Sequence, residues 1–88
     1  MKTLFRVEEV AITLGVSTET ITYFIKEEWI RPSGEDSQSL LDQEDIARLR
    51  LIWELRARHG VNDESIPLIL HLVDQLHLAY GELSEKKW

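Results

Sequence analysis

His71, Asp74 and His77 are the residues of this chain best suited to coordinate a metal or pass a proton, because they recur three apart near one side of a helix. Two histidines six residues apart point about 120° away from each other, however, and a tight metal site needs three or four converging ligands with outer support. No metal and no cofactor are therefore expected. His59, beside Gly60, reads as a cation at a helix C-terminus rather than as a catalyst. The absence of cysteine excludes disulfides, thiolate catalysis and thiolate zinc sites. No nucleophile–base–orienter set and no glycine-rich phosphate loop is visible, so the chain is not expected to be an enzyme.

Charge is more informative. Ten of the sixteen acidic residues lie within residues 1–45, against four basic ones. That half carries the whole formal charge of −6, and residues 46–88 are neutral. An acidic excess favours a basic partner over a nucleic acid or an anionic membrane surface. The first residues form no apolar leader, and no apolar run approaches a bilayer span, so the expected location is the cytoplasm, with no membrane partner.

The elements that must hold these charges can be read from spacing. Val7, Val10, Ala11 and Leu14 predict a first helix, closed by Gly15. Val16 then turns into the core. Ser17 or Thr18 caps a second helix to about Glu28, with Ile21, Phe24 and Ile25 inward. This is a helix-turn-helix pattern. Trp29–Pro32 leaves in extended form, a polar loop spans Ser33–Ser39, and Leu40-Leu41 returns, which predicts a short two-stranded wing. Asp42 caps a third helix that runs to His59. A fourth starts between Asn62 and Ser65 and reaches about Leu83; Pro67 is a first-turn residue if Ser65 is the cap, and the first turn must kink if Asn62 is. The fold class is mostly α: a winged helix-turn-helix of about four helices with a short two-stranded wing. One domain covers 1–88, divided into the helix-turn-helix and wing (1–45) and two C-terminal helices (46–88).

The last two helices carry more apolar residues than one stripe requires. The expected core stripes are Ile46, Leu49, Ile52 and Trp53 on the third helix and Ile66, Ile69, Val73, Leu76, Tyr80 and Leu83 on the fourth. Trp29 and Trp53 are expected in the core. Leu51 and Leu55, and Leu68, Leu72 and Ala79, fall on flanks. Such flanks are either wrapped by the N-terminal helices or left as an interface. Arg6, Lys26 and Arg31 are expected to pair locally with Glu9, Glu27 or Glu28.

Tyr23-Phe24, Trp29-Ile30-Arg31-Pro32, Leu41–Ile46, Arg48-Leu49, Leu55-Arg56 and His59-Gly60-Val61 resemble the MerR family of winged-helix regulators. The family's usual basic positions depart here: Thr22 stands where an arginine precedes the aromatic pair. The wing stretch carries Ser33, Glu35, Asp36 and Ser39 in place of arginines. A second stretch, Ile66 to Leu76 with Leu70 and Leu72-Val73-Asp74, resembles the final helix of the CbpM family of chaperone modulators.

That resemblance implies a chaperone modulator that binds the J-domain of a DnaJ-like, CbpA-type co-chaperone and inhibits it. Leu68, Leu72 and Asp74 are then expected in the contact, with Glu27 and Glu28 on a complementary acidic face. Two alternatives stay open: a small MerR-type DNA-binding or excisionase-like regulator, and an antitoxin-like or anti-regulator protein that mimics acidic DNA. DNA is the less expected partner, and a homodimer is compatible with the apolar fourth helix.

Overall fold

Gly15 sets the first corner. The apolar spacing from Val7 folds as α1 (Val7–Leu14), and Gly15 closes it with φ 69° and an N–H bond back to the Ala11 carbonyl. This left-handed conformation is inexpensive only without a Cβ. Val16 turns inward and is buried. Ser17 caps α2 (Thr18–Lys26), its hydroxyl accepting from the Thr20 amide at 3.1 Å. A computed structural model describes residues 3–32 and 40–85.

α2 stops two residues short of the expected Glu28. Glu28 itself takes φ 64°, a conformation rarely adopted by a residue with a side chain. The Trp29 amide bonds to the Phe24 carbonyl at 3.0 Å, and Trp29 and Ile30 fold back into the core. They therefore do not form the extended wing strand expected of Trp29–Pro32. A two-stranded antiparallel sheet is present, but Leu40–Leu41 (β2) pairs with the N-terminal Phe5–Arg6 (β1), Phe5 opposite Leu41 and Arg6 opposite Leu40. The wing loop, residues 33–39, lies outside the described residues.

α3 (Gln43–Ala57) opens on a reciprocal capping box. The Asp42 carboxylate accepts from the Asp45 amide at 2.8 Å, and the Asp45 carboxylate accepts from the Asp42 amide at 3.0 Å. Gly60, at φ 62°, and a 3₁₀ turn over Asp63–Ser65 lead into α4 (Ile66–Glu85). Pro67 stands in the first turn of α4, where its missing N–H leaves no bond unmade.

The core gathers Val10 and Ala11 from α1, Ile21 and Phe24 from α2, Leu41, Leu49 and Ile52 around α3, and Ile66 and Leu70 from α4, with Val16, Trp29 and Ile30 from the turns. Two expectations fail here. Trp53 is 36% exposed rather than core, because Leu49 and Ile52 carry the inward line of α3. On α4 the inward line is Ile66 and Leu70, with Ile69 and Val73 half-buried. Leu76 and Tyr80 are exposed, at 62% and 69%. α4 runs beyond the body: among its described side chains, none after Leu70 is buried. No described helix is long and apolar enough to cross a membrane.

Candidate protein-docking site

The recognition position of a helix-turn-helix belongs to its second helix. The solvent face of α2 presents Glu19, Thr22 and Lys26. These sum to no net charge, and the Thr22 hydroxyl is turned back onto the Thr18 carbonyl at 2.8 Å. Tyr23 is engaged as well. Its hydroxyl donates to Asp63 at 2.6 Å, and Asp63 accepts a second bond from Arg56 Nε at 2.9 Å. The Arg56 guanidinium sits 5.3 Å from the Tyr23 ring centre and 5.4 Å from that of Phe24. Hydrogen bonding to the Asp63 carboxylate pushes the Tyr23 hydroxyl up to about 12, and the same bond holds Asp63 below the usual carboxylate range. This cluster ties α2 to the entry of α4.

A second cluster forms around Arg48. Its Nε donates to the Trp29 carbonyl at 2.7 Å, and its two terminal nitrogens reach the Asp74 carboxylate at 2.9 and 3.4 Å. One side chain of α3 thus ties the turn after α2 to the middle of α4. The Arg48 bonds, helped by the nearby His77 and His71, hold the Asp74 carboxyl below its ordinary value. Among the described residues the ion pairs are Arg48–Asp74 and Arg56–Asp63. The local pairs expected of Arg6, Lys26 and Arg31 are not among them.

Around the Arg48 cluster opens a cleft of about 860 Å³. Glu28, Trp29 and Arg31 form one wall, the first turns of α3 a second, and Val73, Asp74 and His77 of α4 the third. Trp29, Ala47, Leu51 and Val73 supply apolar surface; Glu28, Glu44 and Asp45 supply an acidic rim. Burial raises the Asp45 carboxyl above its ordinary value.

Glu28 and Asp74, both singled out from the sequence, line this one cleft. Glu27 lies exposed beside it in the same turn. Leu68 and Leu72 are not brought together with them. Both are exposed, at 61% and 58%, and at 100° per residue Leu72 points about 160° away from Asp74. The five candidates divide between two surfaces of the molecule. No local signal marks Arg48 as the residue that organises this site, since its partners lie 19 and 26 residues away.

Comparison with protein-family models matches residues 5–85 to the model described as MerR HTH family regulatory protein. No curated protein matches the chain.

Proposed function

This chain belongs to the MerR HTH family of regulatory proteins, and we propose that within it the protein works as a chaperone modulator, binding the J-domain of a DnaJ-like, CbpA-type co-chaperone and inhibiting it. The observation that carries the reading is the DNA face itself. A helix-turn-helix half with formal charge −6 presents Glu19, Thr22 and Lys26 on its recognition helix. Affinity for DNA grows with the number of phosphates that Lys and Arg neutralise. Acidic surface instead speeds encounter with a basic protein and disfavours nucleic acid. The segment Ile66 to Leu76, similar to the final helix of chaperone modulators, supports a co-chaperone as that protein. Inhibition follows if the bound module covers the J-domain surface that Hsp70 needs.

The test is a J-protein-stimulated Hsp70 ATPase assay with increasing amounts of this protein. Stimulation should fall to the unstimulated rate. Undiminished stimulation, together with tight and salt-sensitive binding to a defined promoter fragment, would favour the DNA-binding alternative.

A further inference from the structure

We propose that the cleft bounded by the Glu28–Trp29 turn, α3 and α4 is the docking groove for a basic amphipathic helix of a partner protein. The partner's Lys or Arg would be taken by Glu28 and Glu44, and its apolar side chains by Ala47, Leu51 and Val73. The identification of the partner as a J-domain rests on the reading above; the groove and its chemistry do not.

Three observations fix the occupant. First, the cleft combines an apolar floor with an acidic rim, and its volume of about 860 Å³ suits a row of side chains. An anionic ligand or a phosphate backbone would meet Glu28, Glu44 and Asp45. Second, the cleft's charges are not internally cancelled. Arg48 is spent on Asp74 and on the Trp29 carbonyl. Among the described residues, Glu28 and Glu44 have no ion pair, and Asp45 is engaged in the capping box. Arg31 is the remaining cation on the walls, so the unpaired balance is acidic. Third, a second copy does not supply the cation through its own apolar helix: residues 66–81 contain no Lys or Arg. None of the four helices of this chain carries a net positive charge, so the basic helix is supplied by a different protein.

The Arg48 bonds also pre-form the groove. They hold the turn after α2 and the middle of α4 to α3, so two of its walls cannot drift apart without breaking them. A pre-organised groove loses less entropy on binding.

The test uses the full chain and two fluorescent probes: an isolated J-domain, and a short amphipathic helical peptide built of Leu and Lys. Glu28→Lys with Glu44→Lys is compared with Glu8→Lys with Glu9→Lys, an equal charge change on exposed positions of α1. Circular dichroism establishes that both variants fold, and Glu28→Gln with Glu44→Gln repeats the cleft arm without charge reversal. The cleft reversal should weaken both probes by at least about tenfold, and the α1 reversal by less than about threefold. Equal losses in the two reversals would reduce the effect to overall charge and overturn the groove. So would an unchanged affinity in the cleft variants, or a wild-type chain that fails to bind the Leu/Lys peptide. Peptide binding that depends on the cleft, without J-domain binding, removes the co-chaperone reading and leaves the groove standing. J-domain binding indifferent to the cleft variants does the reverse.

Discussion

Arg48 and Asp74 meet in a two-pronged ion pair at 2.9 and 3.4 Å, while the same arginine holds the Trp29 carbonyl at 2.7 Å. The pair is half open to water, so its net worth is under about 1 kcal/mol. The bond to the Trp29 carbonyl is charge-assisted and half-buried, which places it nearer about 1.5–3 kcal/mol. Asp74→Ala should therefore cost less than about 1 kcal/mol, and Arg48→Ala about 2 kcal/mol. Urea denaturation measures both. Equal costs would mean that the Trp29 bond contributes nothing.

Glu28 is strained by its left-handed backbone, and removal of its Cβ relieves that. Glu28→Gly should stabilise the fold by about 1 kcal/mol. It should also weaken the docking of a basic helix, because the carboxylate is gone. A higher melting temperature with lower affinity separates the residue's conformational cost from its role in binding. A destabilised Glu28→Gly would show that the side chain contributes more than the strain costs.

The hydrogen-bonded carboxylates set a pH dependence. Asp63 and Asp74 are held below their ordinary values in the folded state. Their contribution is present above the unfolded value of about 3.9 and is lost as pH falls through the folded values. Asp45, raised by burial, acts in the opposite sense. Replacing Asp63 and Asp74 together by Asn should flatten the acid limb of a stability–pH profile. On the alkaline side, Tyr23 is pushed up to about 12 from an unfolded value of about 10. Its contribution is present below about pH 10 and is lost as pH rises toward 12. Ultraviolet titration of a Tyr80→Phe variant, which leaves Tyr23 as the sole phenol, should show ionisation near 12. Ionisation near 10 would mean that the Asp63 bond is not made in solution.

The helix-turn-helix could be read from sequence because its signals are local. Gly15, Ser17 and Asp42 each do their work within a turn of their own position. Glu28 could not be read, because its backbone is set by the withdrawal of Trp29 and Ile30 into the core. The same withdrawal frees Leu40–Leu41 to pair with Phe5–Arg6, a contact more than thirty residues apart. On α4, apolar residues surround the helix, so periodicity offers several stripes and cannot select Ile66 and Leu70 over Leu76 and Tyr80. Asp74 stands out through its spacing with His71 and His77 and through the resemblance of Ile66 to Leu76, but its partner Arg48 is known only once the helices are packed.

The two faces of α4 should respond oppositely to substitution. Leu70 is buried, and Leu70→Ala should cost about 2–5 kcal/mol through the cavity it leaves. Leu72 is exposed, and Leu72→Asp should change stability by no more than about 0.5 kcal/mol. If the cleft is the docking groove, Leu72→Asp also keeps its affinity for the Leu/Lys peptide. Loss of peptide binding in a folded Leu72→Asp protein would move the groove to the outer face, where Leu68 and Leu72 lie.

Titration calorimetry of this protein against the isolated J-domain of a CbpA-type co-chaperone, at low and at physiological salt, tests the central proposal most directly. The predicted result is a saturable complex that weakens as salt rises, since attraction between exposed charges is screened over about 8 Å at physiological ionic strength. The absence of heat and of any complex at both salt concentrations, from a protein shown to be folded, would contradict it.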